Sequence, residues 1–271
     1  MNLAPVKLVV FDMDGTLLND AHQVSPEFYE QFQMLNDKGV HFAAASGRQL
    51  QSIRNTLYPI KDKISIIAEN GGVLQHGQHL KTLLSLGVEQ VRTCIEALRK
   101  IQDCYIVLCG KRSAYIEQNN PEFLQVFKNY YHEARHVNDL TAIADDDFLK
   151  IAVFHFQSSE QYIFPFVKEL THEVKVIVSA EHWLDISPLH SNKAYALELL
   201  QKQIGVCKQE TMVFGDYKND LEMLKLGSFS FAMANAHPEV KALANYETKS
   251  NNNLGVEYVL EILNISKQNT I

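Results

Sequence analysis

The sequence has little of what marks secreted, membrane-spanning or metal-ribbon proteins. Its four cysteines include no Cys-x-x-Cys pair, which argues against a zinc ribbon and against a redox motif. No run approaches the roughly 20 apolar residues of a membrane span, and the apolar run at residues 6–11 is too short for a signal peptide. Free thiols are typical of a reducing compartment, so a cytoplasmic protein with no membrane partner is expected.

Basic residues are also too few for a nucleic-acid partner. Lys and Arg number 25 against 32 Asp and Glu, a net charge of −7, whereas binding to phosphate backbones needs a basic face. Apolar residues make up 46% and charged residues 21%, the composition of an ordinary globular protein. The length suits a core with a second module, and no pattern sets an oligomeric state.

The first and last thirds of the chain alternate strand and helix patterns. Early strands are predicted at three apolar runs, residues 6–11, 40–45 and 64–68. Ser25-Pro26 is typical of a helix start, and a late helix is predicted at residues 193–204, ended by Gly205. This alternation favours an α/β fold in which helices cover a parallel sheet.

The middle of the chain has a different pattern. Helical stretches are predicted at residues 88–100, 121–130 and 159–170. Short strands are predicted at residues 105–108, 114–117, 150–156, 174–179 and 183–186. Strands that follow one another through turns favour an antiparallel α+β module. We therefore predict a discontinuous core of residues 1–82 and 188–271, with an inserted domain at residues 83–187.

Two carboxylates follow the first predicted strand, in the segment FDMDGT at residues 11–16. In an extended chain Asp12 and Asp14 project to the same side, at the strand end where open α/β sheets place their sites. Gly15 allows a sharp turn, and Thr16 adds a hydroxyl donor. The alternative is a structural role, in which Asp12 and Asp14 are capping acids of a loop after the strand.

Paired acids predict a cation, because two like charges about 4 Å apart repel by about 4 kcal/mol at an effective dielectric near 20. A second acidic segment, GDYKND at residues 215–220, follows a late strand. Asp216 is a candidate metal ligand, Asp220 a candidate holder of a metal-bound water, and Asn219 a donor to a phosphate oxygen. Such hard oxygen ligands suit Mg²⁺.

Two further segments offer phosphate ligands. Ser46-Gly47-Arg48 follows the second strand and opens a helix, whose free N–H groups can bind an anion. Lys193 opens a later helix, where the dipole disfavours a cation. The position of Lys193 is explained if its charge neutralises the acids and a phosphate. Taken alone, Ser46-Gly47-Arg48 is also typical of a helix cap, and Lys193 is also typical of a solvated surface.

In the order D-x-D-G-T, S-G-R, K and G-D-x-x-N-D, these segments resemble the haloacid dehalogenase superfamily, and within it the Cof-type hydrolases. The resemblance covers nearly the whole chain and includes AENGG at residues 68–72, DISP at residues 185–188 and ANA at residues 234–236. It implies a Rossmann-like, doubly wound core with a large inserted α/β cap. It also implies an Mg²⁺-dependent phosphatase for small phosphorylated metabolites, such as sugar phosphates or phosphorylated cofactors.

The resemblance assigns roles to matching residues. Asp12 is implied as the nucleophile that forms an aspartyl-phosphate, and Asp14 as the general acid and base. The implied Mg²⁺ ligands are Asp12, Asp216 and the backbone carbonyl of Asp14, with Asp220 acting through a water. The implied phosphate-binding residues are Thr16, Ser46, Gly47, Lys193 and Asn219. The implied contacts at the edge facing the substrate and the cap are Arg48, Asn70 and Gly71.

Specificity in this family is expected from the cap. Candidates by chemistry alone are Arg112, Tyr115, Tyr130, Tyr131, His182 and Trp183. A phosphomutase and a non-catalytic protein that binds a phosphorylated metabolite remain alternatives, while the second acid, Asp14, disfavours a dehalogenase. The segment HEARH at residues 132–136 matches the H-E-x-x-H pattern of zinc metalloproteases. No third ligand is evident, and a polar helix end is the expected structure there.

Overall fold

The structure is a computed structural model that describes residues 2–128, 130–131 and 134–268. The chain divides into two compact units. The first, which we term the core unit, is Met1–Lys81 with Asn192–Ile271, and the second, the inserted unit, is Thr82–Ser191. No helix of the described residues is long and apolar enough to cross a membrane.

The elements are numbered along the chain. The strands are β1 (Leu8–Phe11), β2 (His41–Ala45), β3 (Ser65–Ala68), β4 (Val73–His76), β5 (His79–Thr82), β6 (Tyr105–Gly110), β7 (Ala114–Ile116), β8 (Ala134–His136), β9 (Phe148–Phe154), β10 (Val174–Val178), β11 (Trp183–Pro188), β12 (Thr211–Gly215), β13 (Phe229–Ala232) and β14 (Tyr246–Glu247). The α-helices are α1 (Pro26–Asn36), α2 (Leu50–Thr56), α3 (Val88–Leu98), α4 (Pro121–Phe127), α5 (Ser159–Tyr162), α6 (Phe164–Val167), α7 (Lys193–Ile204), α8 (Leu221–Leu224), α9 (Pro238–Leu243) and α10 (Gly255–Gln268).

The core unit is built on an eight-stranded sheet in the order β14-β13-β12-β1-β2-β3-β4-β5. The strands from β14 to β3 are parallel, and β4 runs antiparallel to β3. Strand β1 lies between β12 and β2, and its residues Leu8–Phe11 are fully buried, which explains the unbroken apolar run. The predicted α/β class with a parallel sheet is confirmed, and the carboxyl ends of these strands share one edge.

Helix α7 is fixed at both ends by local chemistry. The side chain of Asn192 caps its start, because Oδ1 accepts a hydrogen bond from the N–H of Tyr195 at 2.7 Å. Gly205 ends it in the left-handed conformation, with φ of 67°, which glycine adopts without steric cost. This capping sets Lys193 as the first residue of the helix.

The inserted unit contains a six-stranded sheet in the order β10-β11-β9-β6-β7-β8. Its pairs are antiparallel except β7 with β8, which run parallel. Alternate residues of β9 enter two different apolar clusters, with Ile151 and Val153 in one and Ala152 and Phe154 in the other. The sheet is therefore packed on both faces, as the unbroken burial of β9 shows.

The helix predicted at residues 159–170 is wrong. The stretch predicted as one helix at residues 159–170 consists of α5, α6 and a 3-10 turn, Lys168–His172. Pro165 stands inside α6 and has no N–H to donate to a preceding carbonyl, so a continuous helix cannot pass through it.

The H-E-x-x-H segment is not the polar helix end that was expected. His132 and Glu133 lie outside the described residues, but Ala134–His136 is a strand that pairs with β7. The Nε2 atom of His136 lies 2.8 Å from the carbonyl oxygen of Glu117. The metalloprotease pattern needs its two imidazoles on one face of a helix, so strand β8 removes the basis for that interpretation.

Candidate active site

The two acidic loops meet at the carboxyl ends of β1 and β12. Thr16 donates its hydroxyl to Oδ1 of Asp216 at 2.8 Å. Gly15 has φ of +78°, and a Cβ atom placed there would lie 2.4 Å from Oδ2 of Asp216. Only glycine fits this turn, because a side chain would collide with the carboxylate. The hydroxyl of Thr16, predicted to bind phosphate, thus holds the second loop against the first.

Three carboxylates form one cluster in this place. Asp12, Asp216 and Asp220 each offer an oxygen, and these atoms all lie within 4.8 Å of one another. Asp12 and Asp220 are buried, and Asp216 is partly buried. The residues come from loops about 200 positions apart in the sequence, so the parallel pairing of β1 with β12 assembles the cluster.

A single buried ammonium group bridges two members of the cluster. The Nζ atom of Lys193 donates to Oδ1 of Asp12 at 2.5 Å and to Oδ1 of Asp220 at 2.7 Å. The other oxygen of Asp220 accepts hydrogen bonds from the N–H groups of Asp216 and Tyr217. Lys193 is fully buried. Its position at a helix N-terminus, locally unfavourable, is therefore explained by the carboxylates that surround its charge.

Burial and mutual repulsion shape the ionisation of the cluster. Burial raises the pKa of Asp12 well above its ordinary value; Lys193 opposes this rise, and Asp220 and Asp216 add to it. Burial, and after it the charge of Asp220, raises the pKa of Asp216 to about 7, while the hydrogen bond from Thr16 lowers this pKa. Burial alone would lower the pKa of Lys193, but Asp12 and Asp220 raise it above its ordinary value. One ammonium group therefore contacts two of the three acids, while burial and mutual repulsion favour the protonated forms of Asp12 and Asp216.

Asp14 has different surroundings from Asp12, although only one residue separates them. Its side chain is 46% exposed, and its carboxylate is held by the guanidinium of Arg48 through two hydrogen bonds of 2.5 and 2.7 Å. The Nδ1 atom of His22 lies 3.4 Å from Oδ1 of the same carboxylate. His22 carries no sequence signal for this contact, since a lone histidine in a loop belongs to no pattern.

The predicted phosphate-binding residues lie on neighbouring loops. Ser46 follows β2 and is buried, and its Oγ accepts a hydrogen bond from the N–H of Arg48 at 3.1 Å. The amide of Asn70 packs against Gly47, where a Cβ atom would lie 3.1 Å from Nδ2. The side chain of Asn219 donates to Oδ1 of Asn70 at 3.2 Å. Asn219 itself belongs to a 3-10 turn, Lys218–Asp220, directly ahead of α8.

Two asparagines support the loop that follows β1. The sequence did not predict a role for either of them. Asn235 donates through Nδ2 to the carbonyl oxygen of Gly15 at 2.8 Å. Its Oδ1 in turn accepts a hydrogen bond from the N–H of Asn251 at 3.1 Å. The segment ANA at residues 234–236 contributed to the family resemblance, but only the folded chain shows which backbone group its asparagine binds.

The candidate specificity residues of the inserted unit are engaged in local contacts. Tyr115 donates its hydroxyl to Oδ2 of Asp146 at 2.8 Å, and burial is the main cause that raises its pKa to about 12. Arg112 pairs with Asp145 at 3.0 Å. Aromatic packing joins the remaining candidates in one group, Tyr130, Tyr131, His182 and Trp183. Their part in specificity stays a prediction.

Buried carboxylates at the carboxyl ends of parallel strands, with one lysine between two of them, lie where open α/β sheets place enzyme active sites. The chain belongs to the haloacid dehalogenase-like hydrolase family, whose model matches residues 9–260. The predictions of family, fold and enzyme class are confirmed by this match and by the named relatives.

The relatives match along nearly their whole length. The chain is 34% identical to an Escherichia coli (strain K12) 5-amino-6-(5-phospho-D-ribitylamino)uracil phosphatase, over 94% of this chain and 95% of the relative. It is 27% identical to a Bacillus subtilis (strain 168) phosphatase with the same substrate in its name, over 93% of each chain. A haloacid dehalogenase-like hydrolase from Bacteroides thetaiotaomicron superimposes with a TM-score of 0.84 at 27% identity, covering 95% of this chain and 99% of that one.

Proposed function

We propose that this enzyme is an Mg²⁺-dependent phosphatase that hydrolyses small phosphorylated metabolites through an aspartyl-phosphate on Asp12. The main support is the position of Lys193, whose ammonium group contacts both Asp12 and Asp220 inside the acidic cluster. A buried lysine beside a carboxylate nucleophile supplies positive charge where a phosphoryl group would arrive.

The residues present fit a divalent cation. The donor set consists of carboxylate oxygens, which suit Mg²⁺. Burial, and after it the charge of neighbouring carboxylates, raises the pKa of both Asp12 and Asp216, and a bound cation would oppose both causes. Asp12, Asp216 and the backbone carbonyl of Asp14 would hold the ion, and Asp220 would act through a water. When bound, Mg²⁺ would lower the repulsion between the carboxylates and the phosphoryl oxygens.

The first chemical step transfers the phosphoryl group to the protein. A carboxylate oxygen of Asp12 forms a bond to phosphorus while the bond from phosphorus to the ester oxygen breaks. Protonated Asp14 gives its proton to the departing oxygen, which leaves as an alcohol. Ser46, Lys193 and Asn219 donate to the equatorial oxygens, whose charge is spread in a loose transition state.

The second step restores the enzyme. Asp14, now a carboxylate, takes a proton from a water molecule as its oxygen attacks the phosphorus of the aspartyl-phosphate. The bond between phosphorus and the Asp12 oxygen breaks, which releases inorganic phosphate and regenerates the Asp12 carboxylate. Asp14 is protonated again, so protons balance over the cycle. The outward position of Asp14 gives it access to water, whereas Asp12 is buried.

The relatives suggest where to begin the search for a substrate. Two of them are named for a phosphorylated ribitylaminouracil, so this compound heads the group of sugar phosphates and phosphorylated cofactors that we propose to test. The family match at residues 9–260 includes every loop that carries the site. We therefore choose test substrates on the assumption that this chain and its relatives share a reaction type.

A phosphate-release screen tests the proposal. We expect at least one phosphorylated metabolite to be hydrolysed with Mg²⁺ and the rate to fall by about a thousandfold or more in Asp12→Asn, since removal of a nucleophile leaves only binding effects. Asp37→Asn is the matched control, because this exposed aspartate lies at the end of α1 and bonds only to Gln33 among the described side chains. Wild-type rates in Asp12→Asn would overturn the nucleophile, and phosphoryl movement within one sugar without phosphate release would indicate a mutase.

A further inference from the structure

A strained turn connects the loops of the predicted phosphoryl pocket. Glu69 and Asn70 both have φ of 51°, and Gly71 follows with φ of 95°. Successive left-handed residues other than glycine are uncommon and persist where the surroundings hold them in place. Here the N–H of Glu69 donates to the carbonyl of Arg48 at 3.1 Å, and the N–H of Asn70 donates to the carbonyl of Ser46 at 3.0 Å.

The same turn contacts the start of helix α7. A Cβ atom on Gly71 would lie 2.1 Å from the carbonyl oxygen of Asn192 and 3.3 Å from the backbone nitrogen of Lys193. The turn therefore packs directly against the residue that precedes Lys193. Through its backbone it touches the loops that carry two of the predicted phosphoryl ligands, Ser46 and Lys193.

The side chain of Asn70 reaches the loop that carries a further predicted phosphoryl ligand, Asn219. Its Oδ1 accepts a hydrogen bond from Nδ2 of Asn219 at 3.2 Å. An amide nitrogen has two hydrogens to donate. With one committed to Asn70, the orientation of the Asn219 amide is fixed and the second hydrogen has a set direction.

We propose that Asn70 is a positioning residue of the phosphatase reaction, which orients the Asn219 amide toward a phosphoryl oxygen from the left-handed turn between the Ser46 and Lys193 loops. This inference rests on the proposed function and goes beyond it, because Asn70 acts through Asn219 and not through contact with the reacting atoms. The left-handed backbone is what lets the Asn70 amide reach across to the Asn219 loop.

A double-mutant cycle in the full chain tests the proposal. Asn70→Gly keeps a residue that tolerates positive φ and removes the side chain that carries the amide, while Asn219→Ala removes its partner. Hydrolysis of p-nitrophenyl phosphate would be measured for both single variants, the double variant and Asp103→Gly. Asp103 also has φ of 51°, so this last variant controls for the replacement of a left-handed residue by glycine.

We expect Asn70→Gly to lower kcat by roughly five- to tenfold, the effect of one neutral hydrogen bond, with KM little changed. The double variant should be no slower than Asn219→Ala alone, because the proposed effect of the Asn70 amide on turnover passes through Asn219. An equal loss in both backgrounds would overturn the proposal, as would full activity in Asn70→Gly. A merely structural role predicts additive losses, so the cycle separates the two.

A second variant covers the case in which Asn70→Gly unfolds. Asn70→Asp retains an acceptor oxygen and a side chain that tolerates the left-handed region, so kcat should stay near that of the wild type. Its added charge should raise KM for the phosphate ester and weaken product inhibition by inorganic phosphate. A fall in kcat with unchanged KM would contradict the proposal. Turnover that survives Asp12→Asn would instead reject the proposed function, which keeps the two failures distinct.

Discussion

The guanidinium of Arg48 hydrogen-bonds both carboxylate oxygens of Asp14, with Nε donating to Oδ2 at 2.7 Å and an Nη donating to Oδ1 at 2.5 Å. The planar fork of arginine matches a carboxylate in this way, and lysine cannot reproduce it. One residue that was expected to face the substrate thus fixes the orientation of the side chain to which we assign proton transfer.

Replacement of Arg48 should therefore impair turnover. We expect Arg48→Lys to lower kcat by about tenfold, since loss of one bidentate, charge-assisted contact leaves Asp14 free to rotate. Steady-state kinetics of phosphate release measures the effect. Arg54→Lys is the matched control, because Arg54 also pairs with an aspartate, Asp62, at 3.1 Å. Equal kinetics for Arg48→Lys and the wild type would show that the Asp14 carboxylate needs no such support.

Lys193 should be needed for stability as well as for activity. Lys193→Met removes the ammonium group from between Asp12 and Asp220 and leaves buried carboxylates without a cation, a change that typically costs about 3–5 kcal/mol. We expect a large fall in Tm by calorimetry and a partial recovery with Mg²⁺. Lys202→Met, on the exposed face of the same helix, should leave Tm almost unchanged. A stable, metal-independent Lys193→Met protein would contradict this account of the site.

The metal-free protein should lose stability as the pH rises. The pKa of Asp216 is raised to about 7, mainly by burial and then by Asp220, whereas an unfolded aspartate titrates near about 3.9. Between these values the folded chain binds more protons than the unfolded chain, so the free energy of unfolding falls with increasing pH. The shift of Asp12 has the same direction.

Thermal unfolding with a chelator at pH 5 and pH 8 measures this dependence. Asp216→Asn, which cannot titrate, should flatten the slope of Tm against pH. Because Mg²⁺ competes with the same protons, its stabilising effect should be larger at pH 8 than at pH 5. A variant with the same slope as the wild type would show that Asp216 does not titrate in this range.

Two glycines with the same backbone angle allow contact and strain to be separated. Gly15 and Gly39 both have φ of +78°, but a Cβ atom on Gly15 would lie 2.4 Å from Oδ2 of Asp216. Among the described residues, none except its chain neighbours would lie within 4 Å of a Cβ atom on Gly39. Both alanine variants should lose about 1 kcal/mol of stability to backbone strain. Only Gly15→Ala should also lose activity, as measured by phosphate release. Similar activity in the two variants would show that the loop can move away from Asp216 at no cost.

Elements defined by local chemistry were predicted well from the sequence. The helix at residues 193–204 has the predicted bounds because its last residue precedes a glycine and its first lies where an asparagine can cap it. The helix that starts at Pro26 follows the same logic, with Ser25 accepting from the N–H of Phe28. Such ends depend on residues that are adjacent in the chain, so a sequence contains the necessary information.

Features that depend on distant partners were less predictable. The pairing of Arg48 with Asp14 joins residues 34 positions apart, and the bond from Asn235 to Gly15 spans 220 positions. No local pattern determines such contacts. The hairpin of β4 and β5 was also not predicted, since its second strand is largely exposed and lacks a clear apolar alternation. The break at Pro165 could have been predicted, because a proline inside a helix removes a backbone donor.

The hydrogen bond from Thr16 to Asp216 joins residues 200 positions apart, which has a consequence during synthesis of the chain. On the ribosome, the loop that carries Asp12 is made early, whereas Asp216 and Asp220 are made only after the inserted unit has been translated. The strands of the sheet at residues 105–188 are all available by then. A nascent chain halted before Asp220 therefore lacks the complete cluster of Asp12, Asp216 and Asp220, however well its inserted unit has folded.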